Sequence, residues 1–323
     1  MNRREVLGLV GMIAALPSPA LAQQPARRLG VLSVTAADDA IGQTRSAILV
    51  EALAAHGWKE HDNLRIDWRS GAGDRARIAG LAEELIVLKP DILLAIGTPS
   101  VEELRRRTAT IPIVFAVVTD PVSQGFVENL AHPGGNITGF TDYDGPLAGK
   151  WLEMLTQVTP KVSRVCVVYN PATAPFAALM LRTIEDAART LHVTVETAPV
   201  HDAASIAALA SRKDGGLLIL PDFYTMANRA HLLAAITEAR MPAVFWSRTF
   251  VDEGGLMSYS TDSAEQLRRA ANYIDRILKG AQAADLPVQN PTKFELAINL
   301  KTVRALGLTM SPSLLALANT VVE

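Results

Sequence analysis

The sequence has little of what several protein classes depend on. Its 323 residues include one cysteine, and 31 Lys and Arg against 33 Asp and Glu leave a formal net charge of −2. A single cysteine excludes a disulfide within the chain and a zinc site built from several thiolates. The near-neutral balance supplies no concentrated basic surface, so we expect no nucleic-acid partner.

Local catalytic motifs are also missing from the sequence. The six histidines have no His-Glu-x-x-His spacing, and we find no Gly-x-Ser-x-Gly elbow, phosphate-binding loop or Gly-x-Gly-x-x-Gly turn between a strand and a helix. We therefore expect no metal site, no cofactor and no enzymatic activity. A catalytic group assembled only by tertiary folding stays open, with a cleft hydrolase of α/β type as the alternative.

Apart from the N-terminus, no apolar stretch approaches the roughly 18 residues of a membrane span. At the N-terminus, Arg3 and Arg4 precede an apolar run over 6–16, and Ala20-Leu21-Ala22 has the small-residue pattern of a cleavage site. The pattern predicts a signal peptide over 1–22 and a periplasmic protein, the alternative being an amphipathic first helix. The paired arginines leave both twin-arginine and Sec export open.

Short apolar runs alternate with helical patterns along the rest of the chain. The runs at 92–96 and 113–118 are continuously apolar, which is typical of strands buried on both faces of a parallel sheet. Other strands are predicted at 29–34, 64–69, 137–141, 164–169, 193–198, 216–220 and 243–246. Helices are predicted at 44–56, 74–88, 101–107, 175–191, 202–212, 226–240 and 264–279. Repeated βα units predict an α/β fold of two doubly wound parallel-sheet lobes, joined near residue 140.

Ligands of such folds bind beyond the carboxyl ends of the strands, and two facing lobes would form a cleft there. Polar and aromatic residues that follow predicted strands are therefore candidate ligand contacts, namely Ser33, Thr35, Asp38, Gly97, Thr98, Ser100, Thr119, Asp120, Asn170, Asp222, Tyr224 and Trp246.

Each candidate also has a structural interpretation. Thr98 and Ser100 can bind a carboxylate or simply cap the helix that follows. Asp120 and Asp222 can bind an ammonium group or serve as helix N-caps. Trp246 can form an apolar wall of the cleft or belong to the core.

Several motifs in a fixed order resemble the substrate-binding family of ABC transporters, which includes tryptophan- and tyrosine-type binding proteins. The motifs are Gly97-Thr98-Pro99, Thr119-Asp120-Pro121-Val122, His132-Pro133-Gly134-Gly135-Asn136, Tyr169-Asn170-Pro171, Gly254-Gly255-Leu256-Met257 and Pro291-Thr292-Lys293-Phe294. The resemblance implies a periplasmic-binding-protein type I fold with three chain crossings. By this analogy lobe one is 27–142 plus 249–289 and lobe two is 143–248 plus 290–323, and Thr141 and Asp142 join the candidate contacts.

The resemblance implies an exported receptor of an ABC importer that binds an amino acid or small carboxylate and delivers it to a permease in the inner membrane. Thr98 and Ser100 would bind the carboxylate, Asp120 or Asp222 the ammonium, and Trp246 or Tyr224 would cover the side chain. Such a receptor needs no self-association, so we expect a monomer. A ligand-sensing module for a signalling receptor is the alternative with the same motifs.

Overall fold

The computed structural model describes residues 26–143 and 146–323. The predicted signal peptide over 1–22 lies outside the described residues. Across the part that is described, no helix is both long and apolar enough to cross a lipid bilayer.

Strands and helices alternate along the described chain. The strands, in chain order, are β1 Arg27–Ser33, β2 Leu64–Ser70, β3 Ile92–Ile96, β4 Ile113–Thr119, β5 Ile137–Tyr143, β6 Arg164–Tyr169, β7 Thr194–Pro199, β8 Gly216–Ile219, β9 Ala243–Phe245, β10 Met257–Thr261, β11 Phe294–Asn299 and β12 Thr320–Val322. The helices are α1 Ala40–Ala55, α2 Arg75–Val87, α3 Thr98–Arg105, α4 Pro146–Val158, α5 Ala177–Leu191, α6 Ala203–Ala207, α7 Phe223–Ala227, α8 Arg229–Ala239, α9 Arg248–Asp252, α10 Ser263–Leu278, α11 Leu300–Ala305 and α12 Pro312–Leu317.

The strands form two sheets. The first has five strands in the order β2-β1-β3-β4-β5, all parallel. The second has seven, in the order β12-β11-β10-β9-β8-β6-β7, and only its β10–β11 pair is antiparallel. This architecture confirms the predicted α/β fold with two parallel-sheet lobes. The chain crosses between the sheets after β5, between β10 and α10, and again before β11.

One segment differs from the expected lobe division. By the family analogy, 249–289 belongs to the first lobe. In the structure, however, β10 pairs with β9 of the second sheet, and α9 packs against β9, β10 and β11. Only the later part of that segment, including α10 against β4 and β5, covers the first sheet. The Met-Ser-Tyr-Ser-Thr sequence of β10 lacks the apolar run by which the other strands were predicted.

Several helices begin at an aspartate because its side chain accepts a hydrogen bond from a free N–H of the first turn. Asp39 accepts from Ile41 at 2.8 Å, Asp74 from Arg77 at 3.1 Å and Asp262 from Ala264 at 2.9 Å. The cap at Asp39 matters for the site because it fixes the start of α1 at the edge of the cleft.

Strand β4 contains a bulge near its carboxyl end. Its register with β5 shifts between Phe115 and Val118, and Val117 adopts a left-handed backbone with φ 58°. This conformation is uncommon for a β-branched residue, because the branched side chain crowds its own backbone there. The bulge places Val117 at the wall of the cleft.

Candidate functional site

A cavity of about 490 Å³ lies between the two lobes. The first lobe contributes the start of α1 and α10 and the ends of β4 and β5, and the second contributes the β9–α9 turn and the end of β10. Its lining includes the charged, aromatic and aliphatic side chains of Ile41, Arg45, Ile48, Val117, Asp142, Tyr143 and Trp246. A cavity of this size between facing strand ends is a suitable binding site for a small molecule.

Arg45 supplies a buried positive charge to this cavity. Its side chain is 9% exposed, and its Nε and Nη1 atoms have no hydrogen-bond partner among the described residues. Burial lowers the pKa of the Arg45 guanidinium to about 10, while the nearby carboxylates of Asp142 and Asp39 oppose the shift. The group is therefore still cationic at neutral pH, and its free N–H donors can bind an anion in the cavity.

Asp142 supplies the complementary acidic group. The Thr119 hydroxyl donates a hydrogen bond to Asp142 Oδ1 at 2.9 Å, and the residue is buried. Burial raises the pKa of Asp142 to about 7, although the Thr119 hydrogen bond and the charge of Arg45 favour the ionised form. A ligand cation beside it would lower that pKa and be bound by the carboxylate.

Trp246 and Tyr143 supply an aromatic surface to the same cavity. Their rings meet edge to face with centroids 6.5 Å apart, and the Tyr143 hydroxyl donates to the Trp246 carbonyl at 2.5 Å. The Trp246 Nε1 atom is buried without a hydrogen-bond partner among the described residues. Together with Ile41, Ile48 and Val117, these rings give the cavity an apolar wall with one free donor.

This combination matches a zwitterion that carries an apolar or aromatic side chain. Unpartnered guanidinium donors require acceptor oxygens, and a buried carboxylate requires a cation or a proton. An α-amino acid carries a carboxylate and an ammonium group on the same α-carbon, and its side chain can lie along the apolar wall.

Two of the predicted contacts, Asp142 and Trp246, line the interlobe cavity. Ser33 and Thr35 instead line a smaller cavity of about 200 Å³ that shares Arg45 with it. Their hydroxyls pair with each other at 2.8 Å. Asp38 is exposed, whereas its neighbour Asp39 caps α1.

The turn at Gly97 packs against protein side chains and does not line the interlobe cavity. Gly97 has φ 91°, and a Cβ placed on it would come within 2.8 Å of both Val34 and the Phe223 ring of the second lobe. Thr98 and Ser100 are buried in the first turn of α3, and Ser100 donates to the Ile96 carbonyl at 3.1 Å. Neither hydroxyl caps α3, whose N-cap is Gly97.

The remaining first-lobe candidates bind other protein groups. Thr119 positions Asp142, and the Thr141 hydroxyl donates to Asn290 Oδ1 at 2.9 Å. Asp120 accepts from the backbone N–H of Ser123 at 3.2 Å. A turn follows Asp120 where the sequence suggested a helix.

The second-lobe candidates form a cluster around Asp222. This buried carboxylate accepts from the Asn170 N–H at 2.8 Å, from the Thr173 hydroxyl, and from the Tyr224 N–H at 2.9 Å. Desolvation raises the pKa of Asp222, and these donors oppose the rise. Because its oxygens are already bound, Asp222 fits the N-cap role better than an ammonium-binding role. Tyr224 is half-buried beside it.

Arg45 and Tyr143 are the site residues that the sequence interpretation missed. One signal was present for Arg45, which stands four residues before Leu49 and eight before Leu53 on the apolar face of α1. A charged residue on a core-facing stripe is expensive unless it has a partner, so it marks a functional candidate. The sequence pattern around Tyr143 did not mark it as a candidate, because it lies at the expected boundary between the lobes.

Two arginines also join the lobes. Arg229 of α8 pairs with Asp39 at 2.9 Å, and its Nε atom binds Glu253 at 2.7 Å. Arg75 of α2 donates to the Ala172 carbonyl at 2.7 Å. Both contacts connect the first lobe to the second.

Residues 31–322 match a family described as ABC transporter substrate binding protein. A tyrosine-binding protein of Clostridioides difficile is 27% identical over 262 residues, covering 80% of this chain and 75% of that protein.

Among solved structures, an ABC domain in complex with L-Trp from Streptococcus pneumoniae superposes with a TM-score of 0.85 and 25% identity, covering 92% of this chain and 100% of that one. A conserved domain protein from Vibrio cholerae superposes with a TM-score of 0.84 and 27% identity, covering 91% and 99%. The fold and the family resemblance predicted from the sequence are thereby confirmed.

Proposed function

The chain belongs to the ABC transporter substrate binding protein family, and on that premise we propose that it is the exported receptor of an importer for an aromatic amino acid. The receptor binds the amino acid between its lobes and presents the loaded form to a membrane permease. Proteins of this family act outside the cytoplasm, in agreement with the signal peptide predicted over 1–22. No catalytic step is part of this proposal.

The observation that carries the proposal is the buried Arg45 guanidinium with two unpartnered nitrogens in the same cavity as Asp142. We assign the ligand carboxylate to Arg45 and the ligand ammonium to Asp142. Arg45 takes the role expected for Thr98 and Ser100, and Asp142 takes the role expected for Asp120 or Asp222; none of these four lines the cavity.

The aromatic preference rests on the wall formed by Trp246 and Tyr143. A flat side chain can contact the Trp246 ring, and a ring hydroxyl or the ligand carboxylate can accept from Trp246 Nε1. The S. pneumoniae complex with L-Trp and the C. difficile tyrosine-binding protein support the same ligand class.

Delivery to a permease requires that the loaded receptor differ in shape from the empty one. A ligand that touches both Arg45 of the first lobe and Trp246 of the second binds more tightly when the lobes are close together. Binding therefore shifts the population toward the closed form, which the permease can distinguish.

Calorimetric titration of the mature protein with L-tryptophan and L-tyrosine tests the proposal, with tryptamine and N-acetyl-L-tryptophan as ligands that lack the carboxylate and the ammonium charge. We expect both amino acids to bind and both analogues to bind at least tenfold more weakly, since a hydrogen bond to a charged group contributes about 1.5–3 kcal/mol.

Arg45→Met should abolish the difference between L-tryptophan and tryptamine. It should leave ligand-free stability unchanged or higher, because an unpartnered buried cation is removed. Arg248→Met is the matched control, since Arg248 lines the same cavity but pairs with Asp252 at 3.3 Å. Equal binding of tryptamine and L-tryptophan to the parent protein would contradict the assignment of Arg45.

A cellular assay separates import from sensing. In a strain that lacks the gene, uptake of labelled L-tryptophan should be restored by the parent protein and not by Arg45→Met. Normal uptake in the deletion strain together with tight binding in vitro would favour the sensing role.

A further inference from the structure

We infer that Gln266 is a positioning residue for the ligand site: it holds Val117 in its left-handed backbone conformation, and the resulting bulge sets the cavity wall and the position of Thr119 against Asp142. The inference rests on the proposed function for its binding measurement. Its stability measurement needs no ligand.

The hydrogen bond between these residues joins the two parts of the first lobe. The Val117 N–H donates to Gln266 Oε1 at 2.9 Å, and Gln266 is 2% exposed. Val117 has left the regular pairing of β4, so this side chain supplies the acceptor for a buried N–H. The strained backbone persists only where its surroundings hold it in place, and this bond is the direct polar contact that does so.

The two faces of β4 show what the bulge changes. Phe115 and Val118 pack into the cluster beneath α2 and α3, whereas Ala116 and Val117 both pack into the cluster formed with α1 and α10. Two consecutive residues on one face are the mark of an inserted residue. Without the bulge, strand alternation would turn Val117 away from the cavity and move every later residue to the opposite face.

Thr119 and Asp142 depend on that shift. Beyond the bulge, Val118 pairs with Thr141, and a second irregularity that passes over Asp142 in β5 makes Thr119 pair with Tyr143. In this register the Thr119 hydroxyl lies 2.9 Å from Asp142 Oδ1. The bulge therefore sets the face of β4 on which Thr119 lies, and Thr119 in turn positions the carboxylate to which the ligand ammonium is assigned.

Gln266 also contacts the second chain crossing. Its Nε2 atom donates to the Thr261 hydroxyl at 3.2 Å, and Thr261 ends β10 of the second sheet. Both Val117 and Thr261 line the interlobe cavity. One amide thus ties the wall of the site to the segment through which the lobes are joined.

A double-mutant cycle tests the inference with Gln266→Met, Val117→Gly and the combined variant, while Arg268→Met on the exposed side of α10 serves as the control. Glycine adopts positive φ at no steric cost, so in its presence the Gln266 acceptor should matter less. We expect Gln266→Met alone to weaken L-tryptophan binding about tenfold, and by less than about threefold in the Val117→Gly background. Arg268→Met should leave the affinity unchanged.

The thermal unfolding midpoint without ligand gives the second measurement. Gln266→Met should lower the midpoint more in the parent than in the Val117→Gly background. An equal loss in both backgrounds would overturn the inference, because Gln266 would then act independently of Val117. If the parent bound neither L-tryptophan nor L-tyrosine, the proposed function would fail, while this stability comparison would still decide whether Gln266 holds the bulge.

Discussion

Asp142 couples the charge of the site to pH. The carboxyl of Asp142 has an ordinary pKa of 3.8, which burial raises to about 7 in the folded protein. Between pH 3.8 and pH 7, the Asp142 carboxyl therefore keeps its proton in the folded state and loses it in the unfolded state. The resulting stability is fully present below pH 3.8 and is lost as the pH rises through 7.

We expect the unfolding free energy of the ligand-free protein to fall between about pH 4 and pH 7, by about 4 kcal/mol from this residue. Asp142→Asn should remove that part of the fall, which denaturant unfolding at several pH values would measure. Affinity for L-tryptophan should change in the opposite direction and rise with pH, because the ligand ammonium prefers the ionised carboxylate. A pH dependence of stability that is identical in the parent and in Asp142→Asn would contradict this role.

Individual residues were the hardest features to predict from the sequence. Trp246 follows β9, where the strand pattern predicts it, because the edge of a parallel sheet is fixed by its strands, whereas Asp142 near the end of β5 was a candidate only through the family resemblance. Arg45 was not predicted as a ligand contact, because it lies within α1 and not in the preceding loop that contains Thr35 and Asp38. The burial of a charge within a helix depends on which other elements cover that helix, and the sequence pattern gives no information about the facing lobe.

Among the elements, the turn from β3 to α3 is fixed by its contact with α7. Gly97 and Gly57 both have φ 91°, but Gly97 lies against Phe223 and Val34, whereas a Cβ on Gly57 would meet nothing within 4 Å. Gly57→Ala therefore carries only the backbone strain, and Gly97→Ala carries that strain and a steric clash between the lobes.

We expect Gly57→Ala to cost about 1–2 kcal/mol of stability without affecting ligand affinity. Gly97→Ala should lower both quantities, and Phe223→Ala in the same chain should recover part of the affinity by making room for the new methyl group. Calorimetry and thermal unfolding of the three variants would measure this. If Gly97→Ala binds L-tryptophan as tightly as Gly57→Ala does, the Phe223 contact has no influence on the site.

Elements were predicted well where their apolar pattern was long. The runs at 92–96 and 113–118 became β3 and most of β4 because continuous apolar sequence has a stable place only inside a covered sheet. Strands β10, β11 and β12 were not predicted; β10 is rich in hydroxyl groups and β12 has three residues. The pairing of β10 and β12 depends on β9 and β11, which are partners contributed by distant sequence.

For the whole molecule, the ion pair between Arg229 and Asp39 links the lobes at the rim of the cavity. Asp39 also caps α1, the helix that carries Arg45. Both side chains are about one-fifth exposed, so the pair is screened by salt and contributes modestly.

Arg229→Met should accelerate the release of L-tryptophan about two- to fivefold, because the closed arrangement loses one cross-lobe contact. Stopped-flow dissociation measured at low and high salt would test this, and the parent should show the greater salt dependence. Arg164→Met is the control, since the Arg164–Glu196 pair at 3.4 Å lies within the second lobe. Release rates that match between Arg229→Met and the control would show that the pair has no role in closure.

The crossing at α10 also constrains the order in which the protein can form during synthesis. Leu267, Ala271 and Ile274 of α10 complete the same core cluster as Leu94 and Val114 of the first sheet. The ribosome adds this helix only after β6 to β10 of the second lobe, and β11 and β12 follow later still. A nascent chain that ends at Tyr143 has all five strands of the first sheet, but the part of one apolar face that α10 covers is still exposed. Neither lobe is complete until nearly the whole chain has been made, so the two must mature together.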